Sequence, residues 1–317
     1  MIAVKKNNFL FNEEVNTCLK NIIKNKSFAN GYIFYGAEGV GKKQTALKFI
    51  QEIFKQFSPS ENIEERIINN NYPDFLIIEP TSTLEAKTSK SSDLEKTTKS
   101  GSEIIKIAQI RNIKTFLGQK SINSGKKIVL ILDAHLLNEA ASNCLLKTLE
   151  EPNNGIFILL TSKLNLLLET IISRCQIIRF RSFSSKQINS LLNDCLDPSL
   201  LNIETKFKLE DLINFSNGSP GKLLKNIEIL NALPYNIIEK LNSPIKSSIK
   251  ILEISKLITE QLEIYQQICL VNFMQINWWR KTKDVNLVKK LENLKFYLTK
   301  NIQPRLAWEI TLLKISI

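Results

Sequence analysis

The sequence predicts an α/β domain built on a parallel sheet, followed by a small helical module and an all-helical C-terminal domain. Short apolar runs alternate with helical patterns as far as Phe180. Most runs are almost continuously apolar, as strands covered on both faces are. After Phe180 helical spacing takes over. We therefore expect three domains, at 1–180, 181–231 and 232–317.

Five strands are expected in the first domain, each bounded by turn or helix signals. They cover 32–35, 75–78, 128–132, 156–160 and 177–180. Between the second and third strands, segment 81–102 is rich in Ser, Thr, Lys and Glu. It has almost nothing to bury, so we expect most of it to form a mobile surface loop.

Helix signals mark the rest of the chain. Ser184 or Ser185 can cap a helix that runs to Asp194, and a second helix is expected at about 208–215. Pro220 and Pro304 stand where a helix can open, because proline suits the first turn. Most segments from 233 to 317 have helical spacing, which predicts an all-helical third domain.

Composition excludes several classes of protein. The 317 residues are 43% hydrophobic, enough for a sizeable core, yet no apolar run approaches the length of a membrane span. The first residues lack the pattern of a signal peptide, so we expect a cytoplasmic protein without membrane contact. Five scattered cysteines predict neither a disulfide framework nor a CxxC metal pair.

The net charge of +12 would suit a nucleic acid, an anionic membrane surface or an acidic protein partner. Lysine dominates the basic residues and is spread along the whole chain. A solvated surface therefore explains the charge at least as well as a patch that follows phosphates.

The motif GAEGVGKK at 36–43 follows a predicted strand and opens a helix, which is the context of a P-loop. Glycines let backbone N–H groups curl around phosphates, and the helix N-terminus adds positive potential. Lys42 would reach the outer phosphates. The alternative is a glycine-rich turn between strand and helix that has the shape of a P-loop and binds no phosphate.

One position of this motif departs from the usual pattern. A hydroxyl residue normally follows the lysine and ligates magnesium, but here the residue is Lys43, which cannot ligate a cation. Thr45 lies two positions further on and is rotated by about 200° around the helix, so it cannot simply substitute.

A second acidic element is expected after the third strand, and Asp133 stands there. The next position, where hydrolysing P-loop enzymes of the ring-forming type commonly carry a glutamate that activates water, is Ala134. His135 is the only histidine. We expect a structural role for it, as for most lone polar residues at strand ends.

Two further strings carry chemical information. The string NEAASNCLLKTLEEP at 138–152 predicts an amphipathic helix that proline stops. Ser173, Arg174 and Cys175 end a helical segment just before the fifth strand. Arg174 could be a plain surface charge, or it could act as an arginine finger in a neighbouring subunit's nucleotide site.

Together with GAEGVGKK at 36–43, IAQIRNIKTFL at 107–117 and LILDAHLL at 130–137, these strings resemble the clamp-loader branch of the AAA+ family, and within it the delta-prime family of bacterial DNA polymerase III. The resemblance covers nearly the whole chain. It implies an AAA+ P-loop domain, then a helical lid, then a helical collar that joins subunits into a ring.

The resemblance also implies roles for particular residues. Arg174 would act in trans on ATP held by an adjacent motor subunit, and Thr161 and Ser162 would occupy the sensor-1 region. Hydrolysing relatives carry a lid arginine where this chain has Pro220 and Gly221. The cofactor-binding residues implied are Gly36, Gly39, Gly41, Lys42, Lys43, Asp133 and Thr161.

We therefore expect a largely non-hydrolysing stator in a hetero-oligomeric ring with motor subunits and delta, which meets the sliding clamp and primer-template DNA through the assembly. Its ATP site would be degenerate. The family's zinc-binding cysteine cluster is absent from the sequence, so no zinc is expected. The alternatives are an ATP-hydrolysing motor subunit, or another AAA+ ATPase acting on DNA, and a DNA-binding module driven by charge.

Overall fold

A computed structural model describes most of the chain. The described residues are 12–57, 62–82, 103–122, 125–151, 155–195, 212–213, 216–241, 243–245, 247–300 and 302–316. The chain divides into two compact units, one ending at Ser182 and one beginning at Phe183. The expected boundary between residues 180 and 181 lies two residues before this division and stays a prediction. The expected boundary between residues 231 and 232 stays a prediction.

The first unit alternates strands and helices. Its helices are α1 (Glu13–Lys24), α2 (Lys42–Phe57), α3 (Ile63–Ile68), α4 (Ile107–Gly118), α5 (Glu139–Glu150) and α6 (Glu169–Ile172), with 3₁₀ turns at Ala134–Leu136 and Leu164–Leu166. Its strands are β1 (Gly31–Tyr35), β2 (Phe75–Ile78), β3 (Thr81–Ser82), β4 (Glu103–Ile104), β5 (Lys127–Ile131), β6 (Gly155–Thr161) and β7 (Gln176–Arg179).

Five of these strands form one parallel sheet in the order β2-β5-β6-β1-β7. The five predicted strands are thereby confirmed. The alternation of side chains along each strand feeds two separate cores. In β1, Tyr32 and Phe34 join the core covered by α1, α2 and α3, whereas Ile33 joins the core covered by α4, α5 and α6.

The segment expected to begin a loop at Thr81 instead begins with a short strand. Thr81 and Ser82 pair antiparallel with Glu103 and Ile104. A ladder of two residues is too short to show the pattern of four to eight residues by which a strand is recognised in a sequence. The remainder of the expected loop, 83–102, lies outside the described residues.

The second unit is helical throughout its described part. Its helices are α7 (Ser185–Cys195), α8 (Pro220–Ala232), α9 (Tyr235–Lys240), α10 (Ser248–Gln261), α11 (Ile264–Thr282), α12 (Val285–Thr299) and α13 (Pro304–Ser316). The helices predicted to open near Ser184, Pro220 and Pro304 are confirmed. Most of the helix expected at 208–215 lies outside the described residues. No helix in the described ranges combines the length and apolar character that a bilayer span requires.

Buried polar side chains link the helices of this second unit. Gln267 is only 2% exposed and donates from Nε2 to the Leu262 carbonyl at 2.8 Å. Its Oε1 accepts the indole N–H of the fully buried Trp308 at 2.9 Å. Trp278 donates in the same way to the Leu241 carbonyl at 2.8 Å. Each buried indole N–H therefore has a partner, as close packing of tryptophan requires.

We predict that Gln267→Leu lowers the free energy of unfolding by about 1–3 kcal/mol, because Trp308 would keep a buried indole N–H without an acceptor. Urea unfolding followed by tryptophan fluorescence measures this change, since all three tryptophans lie in the second unit. Adding Trp308→Phe to Gln267→Leu should recover part of the loss by removing the donor. The exposed Gln261→Leu is the matched control and should change little.

Candidate functional site

The carboxyl ends of three neighbouring strands bring most of the predicted site residues together. Gly36 follows β1, Asp133 follows β5, and Thr161 ends β6. The backbone N–H of Gly36 donates to the Thr161 carbonyl at 3.3 Å. Ligands of open parallel sheets bind along the carboxyl edge, so the P-loop and these polar groups occupy the expected place.

Close packing and backbone conformation explain the glycines of the loop. A Cβ on Gly36 would lie 2.5 Å from the Phe180 carbonyl oxygen, so no larger residue fits without moving the backbone. Gly39 and Gly41 have φ of 74° and 93°, in the region that favours glycine. The loop therefore curls as a phosphate-binding turn requires.

Lys42 is buried at the start of α2, with a relative exposure of 9%. Its Nζ donates to the carbonyl oxygens of Gly36 and Ala37 at 2.6 and 2.7 Å. These bonds hold the ammonium group against the loop that carries it. A phosphate in the loop would compete with the two carbonyl groups for the N–H donors.

The neighbouring Lys43 is exposed, and its Nζ lies 3.3 Å from Oε1 of Glu79, just after β2. Thr45 lies on the buried face of α2, 8% exposed, as its rotation around the helix predicts. The residue directly after the P-loop lysine thus offers no hydroxyl for magnesium at the usual position. In the described part of the chain, no group of three or more His, Cys, Asp or Glu side chains could hold a metal ion.

The turn after β5 carries a single carboxylate, at its second position. Asp133 has a left-handed backbone, with φ of 46°, and is partly exposed. Ala134 is fully buried in the core beneath α4 and α5. Its position, where an acid that activates water would stand, therefore faces apolar side chains.

His135 lies beside the P-loop, with Nδ1 at 3.4 Å from Oγ1 of Thr161. That hydroxyl oxygen also accepts the backbone N–H of Lys163 at 3.1 Å. Burial lowers the pKa of His135, the nearby Lys163 and Lys42 lower it further, and Asp133 opposes them. A neutral imidazole is favoured, and its hydrogen bond with Thr161 supports the structural role that the sequence predicts.

Arg174 lies at the amino ends of the parallel strands, opposite the P-loop, in the turn between α6 and β7. Strand β1 runs between the two edges and spans about 16 Å. Arg174 Nη1 donates to the Thr170 carbonyl at 3.1 Å, and Nη2 donates to Oε1 of Glu150 at 2.8 Å. Its side chain is 40% exposed. The guanidinium group therefore sits at the surface, held from two sides and away from the P-loop of its own chain.

The next residue, Cys175, packs against the start of β1. A Cβ on Gly31 would lie 2.6 Å from the Cys175 Sγ and 3.4 Å from Cδ2 of Leu149. Burial raises the pKa of the Cys175 thiol to about 11. The thiol is thus a packing group that fixes the Arg174 turn, and it is a poor nucleophile or ligand.

The sequence did not reveal three partners in these sites. Glu79, Glu150 and Thr170 contact predicted residues through side-chain or carbonyl groups. Glu150 belongs to the string at 138–152, but no spacing rule pairs it with an arginine 24 positions away. Pro152, expected to stop that helix, lies outside the described residues.

Two families of known proteins match this chain. The family described as "DNA polymerase III, delta subunit" matches residues 11–184. The family described as "Cyanobacterial DNA polymerase III delta prime, C-terminal domain" matches residues 186–315. Together these matches cover nearly the whole chain. The chain belongs to the delta-prime family of DNA polymerase III.

Individual relatives include a delta' subunit and other replication proteins. DNA polymerase III subunit delta' of Bacillus subtilis is 31% identical over 180 residues, which cover 55% of this chain and 49% of the relative. Subunit tau of the same bacterium is 30% identical over 65% of this chain and 34% of the relative. Replication factor C subunit 5 of Saccharomyces cerevisiae is 25% identical over 78% of this chain and 70% of the relative. The chain spans about half, or less, of the two bacterial relatives.

The fold also matches that of a solved relative. A DNA polymerase III gamma subunit-related protein from Thermotoga maritima superimposes with a TM-score of 0.57 over 95% of this chain and 98% of that protein, at 18% identity. The predicted fold class is confirmed for the delta-prime chain in its α/β domain with a parallel sheet and in the helices that follow it.

We predict that Cys175 reacts slowly with iodoacetamide in the folded protein. With the pKa raised to about 11, the thiolate fraction at pH 8 is on the order of one in a thousand. Unfolding in urea should accelerate alkylation at this site by on the order of a hundredfold. Site-resolved mass spectrometry measures both rates. A folded-state rate that stops rising by pH 9 would contradict the raised pKa.

Proposed function

We propose that this chain is a stator subunit of a clamp loader for the replicative DNA polymerase III of bacteria, and that it donates Arg174 to the ATP site of a neighbouring motor subunit. The observation that carries this proposal is the place of Arg174. Its guanidinium is exposed at the sheet edge opposite its own P-loop, where a second subunit can reach it.

The chemistry of the guanidinium suits this task. It is always charged, and its planar fork of N–H donors matches phosphate oxygens. In the transition state of phosphoryl transfer, negative charge spreads over the oxygens of the γ-phosphate, and an arginine from outside the site neutralises it. The bonds to Thr170 and Glu150 hold Arg174 before the neighbouring subunit arrives.

The chain's own P-loop supports a passive role in hydrolysis. The backbone N–H groups of the loop and the ammonium group of Lys42 would hold the phosphates of ATP. In any hydrolysis at this site, the bound ATP would supply the phosphoryl group that is transferred to water. Lys43 provides no hydroxyl for magnesium, and Ala134 provides no base for water, so we propose that turnover here is slow or absent.

The second unit supplies the proposed assembly contacts. We propose that helices after residue 232 join a collar with motor subunits and delta in a hetero-oligomeric ring. The clamp and primer-template DNA are then met through the ring. The lid helix α8 opens with Pro220 and Gly221, and Ser219 caps it by accepting the Lys222 N–H at 3.3 Å. No arginine stands at this opening turn, which also favours a stator.

Arg174→Ala should lower ATP turnover by the complex reconstituted with the host's motor subunits by about tenfold or more. Loss of a finger that serves the only site costs on the order of a thousandfold, and other sites in the ring dilute the effect. Arg174→Lys should restore turnover only in part, because lysine keeps the charge but loses the fork. Unchanged turnover in a fully assembled complex would refute the finger.

The isolated chain should show little or no steady-state ATP turnover. Lys42→Ala should leave turnover by the reconstituted complex nearly unchanged, because the proposed stator hydrolyses no ATP of its own. A coupled phosphate-release assay measures both. Robust turnover by the chain alone, abolished by Lys42→Ala, would identify a motor subunit and overturn the stator role.

A further inference from the structure

The partner of Arg174 carries an inference that rests on the proposed function. We infer that Glu150 is a positioning residue for the arginine finger, which orients the guanidinium of Arg174 toward the nucleotide of the neighbouring subunit. The carboxylate does not touch that nucleotide itself. It acts through the 2.8 Å bond from Arg174 Nη2 to its Oε1.

The bonding pattern fixes the orientation of the guanidinium plane. Nη1 donates a hydrogen bond to the Thr170 carbonyl at 3.1 Å, and Nη2 donates a hydrogen bond to the Glu150 carboxylate. Two acceptors on different terminal nitrogens restrict both the tilt and the rotation of the plane. A guanidinium has five N–H donors, so donors remain that can meet a phosphate while these two bonds persist.

Glu150 is carried by a rigid element. It ends α5, and the preceding Leu149 is buried in the core. The Leu149 side chain and the Cys175 thiol both pack against Gly31. The last turn of α5 and the Arg174 turn therefore share one packed contact. The acceptor and the arginine are therefore attached to one packed contact, which favours the preorganisation that a reacting geometry requires.

The local surroundings do not explain a glutamate at this position. A carboxylate in the last turn of a helix faces the negative end of the helix dipole, which disfavours it. The Glu150 side chain is 52% exposed, so it fills no core space. A surface ion pair adds little to folding stability, because water screens it. The negative charge of Glu150 is explained by its hydrogen bond to the guanidinium of Arg174.

The test uses the complete chain reconstituted with the host's motor subunits. Glu150→Gln should lower kcat for ATP by about fivefold, because an amide oxygen attracts the guanidinium more weakly, while KM for ATP and complex assembly stay unchanged. Glu151→Gln is the matched control and should leave kcat unchanged. The thermal unfolding midpoint of Glu150→Gln should stay within about 2 °C of the parent value.

A double-mutant cycle separates positioning from other roles. In an Arg174→Ala background, adding Glu150→Gln should cause no further loss of kcat. A further loss there, an unchanged kcat in Glu150→Gln alone, or a kcat that rises would each overturn the inference. If Arg174→Ala itself changed nothing, the proposed finger would fall as well, which distinguishes failure of the function from failure of this inference.

Discussion

The parallel direction of the five central strands is the constraint on which the structure of the first unit depends. Parallel strands require helices on both faces, and this explains why β1, β5 and β6 are apolar along nearly their whole length. The same direction gathers all carboxyl ends at one edge and all amino ends at the other. The P-loop therefore lies at the carboxyl ends of the strands and the Arg174 turn lies at their amino ends, separated by the length of the sheet.

The sequence predicted those parts of the fold whose buried residues recur with the period of a strand or a helix. The five strands, α2 and α5 follow from apolar runs and from local start signals. The contacts Lys43–Glu79 and Arg174–Glu150 left no such pattern, because each joins two exposed residues far apart in the sequence. The positions of Gly36, Asp133 and Thr161 at one edge followed from topology once the strands were known. The partners that orient Arg174 required three-dimensional contacts.

The first glycine of the P-loop motif is explained by packing. Gly36 is required by its approach to the Phe180 backbone, whatever the loop binds. A glycine at this position is therefore evidence for close packing between β1 and the end of β7, and not by itself evidence for a bound nucleotide. Lys43 and Ala134 lie under no comparable steric demand for a hydroxyl or an acid. The shape of the loop thus depends on Gly36, whereas the chemical groups next to it depend on residues 43 and 134.

The contact between Gly31 and Cys175 has a consequence for how related sequences vary. The two positions share a single small volume at the amino edge of the sheet, since any Cβ at 31 would meet the sulfur. Natural variation should therefore be correlated: a lineage that acquires alanine or serine at 31 needs a smaller residue at 175. A cysteine that recurs at position 175 would then reflect the size of the residue at position 31, and not a reactive thiol.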